Sequence, residues 1–155
     1  MYEHFQSLLS FLAVQHDAQL EYAEDGKDVS FVADGFYVMC SFLEGTEQML
    51  LSTCVAEIPE TDRQALYFKL LNGQYFFRET GGATLAVDGE EKFVSLQIVR
   101  DLRTLTPERF AAILDNFLTA ASLWRGRVDG HSAEEKRKPD LPEAALPDPG
   151  MMIRV

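Results

Sequence analysis

The stretch DVSFVADGFYVMCSFLEGTEQMLLSTCVAEI, residues 28–58, decides the fold of this chain. Asp34-Gly35 stands between two apolar runs, and a two-residue type I′ turn needs φ > 0 at both central positions, which these residues tolerate. The pair predicts a hairpin of strands 28–33 and 36–43. A second turn at Glu44, Gly45 and Thr46 leads into a strand over 48–58, so the segment reads as an antiparallel meander. That pairing also tests the two cysteines. If strands 36–43 and 48–58 turn near Gly45, Cys40 faces about position 51, some three residues short of Cys54. At about 3.4 Å per residue the offset exceeds what an unstrained disulfide tolerates, and both are expected as reduced core thiols.

Outward from the meander, Phe5, Leu8, Leu9, Leu12 and His16 form one stripe at helical spacing, predicting an amphipathic helix over 2–16. A short strand over 19–23 follows, joined to the meander through residues 24–27. On the other side Pro59 ends the third strand of the meander, and Thr61 with Gln64 reads as a capping box opening a helix that runs to about Phe77. Thr80-Gly81-Gly82 breaks the chain, and strands over 83–87 and 92–102 make a second hairpin about Asp88-Gly89. Thr106 as N-cap and Pro107 at the first helical position start a last helix with the stripe Phe110, Ile113, Leu114, Phe117, Ala121 and Trp124. Gly126 is its expected stop. The order α-β-β-β-β-α-β-β-α, with hairpins between strands, predicts the α+β class: a twisted antiparallel sheet of about five to six strands with three helices.

Beyond Gly126 the composition changes to Pro139, Pro142, Pro147 and Pro149 among small and charged residues. The expected organisation is one domain over 1–126 and a flexible, proline-rich tail over 127–155, dispensable for the fold. The tail ends in the apolar run Met151-Met152-Ile153-Arg154-Val155, which a proline-rich spacer could carry back to a groove in weak competition with a partner.

Of the net charge of −11, −10 sits in the domain, where residues 1–126 hold 9 basic and 19 acidic side chains. Such a field opposes the counterion release that drives nucleic-acid binding and repels anionic lipid, so neither nucleic acid nor membrane is expected as a partner. No window approaches the roughly 18 apolar residues of a membrane span, and a basic leader is lacking near Met1, which predicts a cytoplasmic protein.

Residues resembling a catalytic set do not assemble. His4, His16 and His131 lack metal-site spacing, and His16 beside Asp17 are neighbours at a helix end whose side chains point apart. Neither cysteine has a local basic partner that would lower its pKa. Gly81-Gly82 precedes a strand, whereas a phosphate cradle leads into a helix N-terminus. The carboxylates Asp25, Asp28, Glu90 and Glu91 cluster at hairpin tips and read as solvated turn acidity. The chain is therefore expected to be no enzyme and to need no cofactor, metal or nucleotide.

What the residues offer instead is apolar surface in excess of one core. On the first helix Phe11 falls about 120° from the core stripe and Val14 about 180°, at roughly 100° per residue. On the second, Leu66, Leu70 and Phe77 mark one side, Tyr67 and Leu71 the next, Phe68 and Tyr75 the opposite, and Phe76 most of the remaining gap. A small domain seldom encloses a helix fully, so this helix is expected at a homodimer interface formed by Leu66, Tyr67, Phe68, Leu70, Leu71 and Tyr75.

These features lead to a resemblance. Leu8-Leu9 and Leu12-Ala13 on the first helix are followed by Ile58-Pro59, Asp62, Leu66 and Leu70-Leu71-Asn72, then by Gly82-Ala83-Thr84-Leu85-Ala86-Val87-Asp88. Leu105, Phe110, Leu114, Phe117, Ala121 and Trp124-Arg125 close the series. In this order the chain resembles the class I type III secretion chaperones, the Tir chaperone family, over roughly residues 4 to 126. It departs from them at Asn72, which here directly follows the paired leucines, and in the longer tail. The resemblance implies a bacterial cytoplasmic homodimer that holds the N-terminal, non-globular segment of a secreted effector, keeps it export-competent without nucleotide, and has the export ATPase as a further partner. It also implies grooves along the first helix and neighbouring strands, where this sequence carries Phe5, Leu9, Phe11, Leu12, Val29 and Phe31. An extended segment adds to a sheet edge through main-chain hydrogen bonds while its apolar side chains enter such grooves. Phe11 is the one of these that the internal core does not explain; Phe5, Leu9 and Leu12 serve a core equally well. Two other readings remain open on the residues alone: a regulatory or stress-related protein-binding domain of the same fold, and a small-ligand-binding α+β domain or enzyme.

Overall fold

The computed structural model describes residues 1–137. Its elements run α1 (Tyr2–His16), β1 (Glu21–Tyr22), β2 (Asp28–Ala33), β3 (Phe36–Leu43), β4 (Gln48–Glu57), α2 (Arg63–Gln74), β5 (Thr84–Val87), β6 (Phe93–Asp101) and α3 (Pro107–Arg137). The six strands form one antiparallel sheet in the order β1-β2-β3-β4-β6-β5. The expected class, helix count and element order are thus observed.

The meander has the anticipated register. Ala33 pairs with Phe36 across a turn whose residues Asp34 and Gly35 have φ of 50° and 74°. Because side chains alternate, Val29, Phe31 and Ala33 of β2 face the same way as Cys40, Val38 and Phe36 of β3, and all six are buried. The other face turns Val32, Tyr37 and Met39 to solvent. On the buried face α1 packs against α3, and α3 against β4. Phe5 of α1 meets Phe42 of β3 with ring centroids 5.7 Å apart, and Leu8, Leu9 and Leu12 continue the contact stripe. Each such side chain contributes about 1.5–3 kcal/mol by leaving water. The first strand is shorter than anticipated, since only Glu21 and Tyr22 pair with β2.

Cys40 lies opposite Leu51, and both cysteines are free. Cys54 is not a core thiol as expected: paired with Ser95, it falls on the outward face and is exposed.

Two helix boundaries also differ. The Thr61–Gln64 capping box does not form. The N-cap is Asp62, held in the left-handed region at φ 52° with no side-chain cap bond, so Thr61 stands one residue outside the position from which a hydroxyl reaches the first turn. At the far end α2 stops at Gln74 and tightens into a 3-10 turn, Tyr75–Phe77. The third helix starts as read, with Thr106 Oγ1 accepting from the Arg109 amide at 3.3 Å. It does not stop at Gly126. Val128 and His131 extend the buried stripe of Ala121 and Trp124 at alternating steps of three and four, so tertiary packing carries the helix through the glycine to Arg137. Residues 127–137 therefore belong to the ordered body; the apolar end Met151–Val155 lies outside the described residues.

Candidate partner-binding surfaces

The core on the helix side of the sheet leaves two helices with apolar flanks of different kinds. On α1, Phe5, Leu9 and Leu12 are buried, and so are Val29 and Phe31 of β2. These five, expected to line a partner groove, offer no surface in this chain; they are the platform that holds α1 on the sheet. The reason is the stripe itself, which seats on α3 and on Phe42 of β3. Of the large apolar side chains of α1, Phe11, at 37% exposed, and Val14, at 86%, look outward.

Beside α1 the sheet has a weak edge. The bridge partners of β1 cover Val29 and Ser30, which, among the described residues, leaves the outer side of β2 from Phe31 to Ala33 without a neighbouring strand. Two shallow grooves follow this edge. One, of ≈ 370 Å³, is lined by Tyr22, Ser30, Tyr37 and Met39 among others; the second, of ≈ 270 Å³, runs from Asp17 and Ala18 at the end of α1 to Val32 and Tyr37. Apolar side chains beside unpaired main chain are the two requirements for adding an extended segment to a sheet.

The α2 surface is larger. Leu66 and Leu70 are buried core residues and Tyr67 is half-buried, so these three do not make the outer face expected of them. Phe68, Leu71, Tyr75 and Phe76 do, each between 59% and 73% exposed, with Phe77 at 53%. The helix is apolar on both sides because one side seats on α3 and the sheet while the other is bare. Its seat is close: a Cβ on Gly73 would lie 2.1 Å from Trp124 Cζ2, so glycine alone lets the indole reach the helix backbone. Trp124 Nε1 donates to the Glu79 carbonyl at 2.9 Å, Arg127 stacks over the indole at 4.8 Å, and Arg127 also pairs with the Glu79 carboxylate. That guanidinium holds Glu79 below its ordinary pKa. None of this clamp past Trp124 was foreseen, because a helix ending at Gly126 does not place Arg127.

Titratable groups elsewhere serve the fold. His4 Nε2 meets the Leu105 carbonyl at 2.9 Å, His131 packs beside Asp62 with Nε2 3.3 Å from its carbonyl, and His16 is exposed. Glu91 pairs with Arg63 at 3.1 Å and Glu90 with Lys92. Burial pushes the Cys40 thiol far up, and it raises Cys54 as well, the opposite of nucleophile activation. Among the described residues no group of three or more His, Cys, Asp or Glu could hold a metal ion, and no helix is long and apolar enough to cross a membrane.

Comparison with known proteins matches residues 7–125 to the sequence profile of the Tir chaperone protein (CesT) family. No curated protein matches the chain significantly. Among solved structures the chain is similar to the ExsC-ExsE complex, at 23% identity and TM-score 0.65 over 79% of this chain and 92% of that one. It is similar to the HopA1-SchA chaperone-effector complex, at 18% and 0.60 over 79% and 94%. A third likeness is to the heterodimeric ExoU-SpcU complex from the type III secretion system of Pseudomonas aeruginosa, at 15% and 0.56 over 77% and 92%. At these identities the likeness is one of fold.

Proposed function

Because the chain belongs to the Tir chaperone protein (CesT) family, we propose that it is a type III secretion chaperone that holds the N-terminal, non-globular segment of a secreted effector. The supporting observations are two: Phe11 and Val14 are left exposed on α1, and β1 leaves the edge of β2 partly uncovered. An effector segment there gains main-chain bonds along β2 and buries its apolar side chains on Phe11 and in the grooves beside Tyr37 and Met39. Holding is the whole task. The protein turns over no substrate, needs no nucleotide, and acts in the cytoplasm, handing its cargo to the export machinery with the ATPase as a further contact.

The working unit is a homodimer joined through α2. Phe68, Leu71 and Tyr75 recur at steps of three and four, which makes one continuous apolar seam, and such a seam left in water marks an interface.

The test is calorimetry with N-terminal segments of the effectors encoded alongside this chain. A segment should bind equally with and without ATP and magnesium, and Phe11→Asp should weaken it about tenfold or more, since burying one large side chain contributes roughly 1.5–3 kcal/mol. Binding unchanged by Phe11→Asp and Val14→Asp together would refute the α1 site.

A further inference from the structure

The end of the β2–β3 hairpin reaches past the rest of the sheet. Pairing with β1 stops at Ser30, and pairing with β4 begins only at Val38, opposite Thr53. Among the described residues, Phe31, Val32 and Ala33 therefore pair with Val38, Tyr37 and Phe36 alone, and Phe36 and Tyr37 have no strand partner on β4. A two-stranded hairpin standing by itself is marginal in water. Yet this one carries the bare main chain of residues 31–33 and the Val32 and Tyr37 side chains that line the edge grooves.

What holds it comes from α3. The Arg125 guanidinium sits 3.6 Å from the centre of the Phe36 ring, and its two terminal nitrogens donate to the Gly35 carbonyl, each at 3.4 Å. Its Nε donates to the Val55 carbonyl at 3.1 Å. Val55 is free to accept because the β4–β6 register shifts between Cys54 and Ala56, and a bulged residue is left out of its ladder. One side chain thus bridges the turn, the first residue of β3 and the bulge of β4, three points that no strand pairing connects. A further tie, from Thr53 Oγ1 to the Tyr37 carbonyl at 2.8 Å, reaches β3 but not β2 or the turn. Burial of Phe31, Ala33 and Phe36 presses the hairpin onto the core, but that force is non-directional and fixes no carbonyl or amide in place.

Resting on the reading that cargo adds to the β2 edge, we infer that Arg125 is a positioning residue for cargo: it holds the hairpin end so that the unpaired groups of Phe31 to Ala33 are ordered before a segment arrives. An added strand gains its main-chain bonds from backbone that is already extended, and any ordering left to do is subtracted from affinity. Lysine does not replace arginine here, because an ammonium cannot stack on a ring and reach two carbonyls at once. The role requires no contact between Arg125 and cargo, which sets it apart from Phe11.

The experiment uses the full chain and the effector segment that calorimetry selects. Arg125→Met should speed amide exchange at Ala33 and Phe36, the pair that closes the turn, about tenfold while β6 stays protected. It should also weaken the segment about tenfold, the scale of one hydrogen bond to a charged group. A staple separates positioning from contact. Val32 and Tyr37 form the pair next to the closing one, where antiparallel side chains approach nearest, and both are exposed. Val32→Cys/Tyr37→Cys is therefore oxidised across the hairpin, with Cys54→Ser removing the exposed thiol. With the staple reduced, Arg125→Met should still weaken binding about tenfold; with it oxidised, the loss should shrink to less than about twofold. Unchanged exchange at the turn, or a loss of binding that the staple leaves in place, would overturn the inference. Should the staple not close, Arg125→Lys decides: full binding by the lysine assigns a simple charge contact and overturns positioning, whereas a loss near that of methionine supports it. If the segment binds the parent and Arg125→Met binds it equally well, the cargo reading stands and the inference alone falls. If no segment binds the unmodified chain, the cargo reading falls and the inference with it, whatever the exchange shows.

Discussion

The α1 and α2 helices carry apolar flanks that look alike in sequence, yet one is narrow and the other broad. On α1 the buried stripe takes Phe5, Leu8, Leu9 and Leu12, and only Phe11 and Val14 are left over. On α2 the inward face takes Leu66, Leu70 and Gly73, and five aromatic or aliphatic residues from Phe68 to Phe77 stay in solvent. A leftover of two side chains suits a ligand that brings its own main-chain bonds to the neighbouring β2 edge. A leftover of five along α2 and the turn after it suits a second folded surface. The supports differ as well. The α1 helix seats on α3 and on Phe42 of β3, whereas α2 lies against β5 and is held by α3 through Trp124, Arg127 and Glu79.

The sharpest way to break the comparison is at Trp124. Trp124→Ala should cost about 3–5 kcal/mol and loosen α2 before α1, because the cavity opens directly against Gly73. Chemical denaturation with hydrogen exchange resolved by segment measures both; equal loss of protection in α1 and α2 would show that the two helices share one support. Next is truncation. Ending the chain after Gly126 removes the buried Val128 and His131 and the Arg127–Glu79 pair, and should destabilise by about 2–3 kcal/mol, seen as a lower urea midpoint. Ending it after Arg137 should leave the midpoint nearly unchanged.

Smaller still is the stability effect of Phe11→Asp. With the ring already part-exposed, the variant should stay within about 0.5 kcal/mol of the parent in denaturant while losing cargo. A melted variant would move Phe11 into the core. The least effect is expected at Glu79. Its folded pKa is depressed, so its contribution is present above the ordinary value of 4.5 and is lost as pH falls through the lower folded value. Glu79→Gln should therefore lose a small contribution that is present at neutral pH and meet the parent only as pH falls through the depressed folded value, with the group's exposure keeping the change small.

Much of the fold was legible because its signals are local. Asp34-Gly35 sets the hairpin register by what its φ angles allow, and that register put Cys40 opposite position 51 before any coordinates. Phe11 was legible in the same way, as a residue at the wrong angle for its own helix. The capping box failed because Asp62 turns into the left-handed region, which the pattern Thr61–Gln64 does not encode. That Phe5, Leu9, Leu12, Val29 and Phe31 all finish buried was not legible, because a sequence shows which residues are apolar and not which side of a packed layer they finish on.

By itself, then, the sequence determined the alternation of elements, the sheet register and the surplus of apolar residues on α1 and α2, all of which follow from period and turn chemistry along a few consecutive residues. Only the tertiary structure decided how that surplus divides between core and surface, and that α3 continues past Gly126. Those outcomes depend on contacts between segments far apart in the chain, such as Trp124 on Gly73 and Arg127 on Glu79, whose free energy exceeds the local preference of a single glycine or cap.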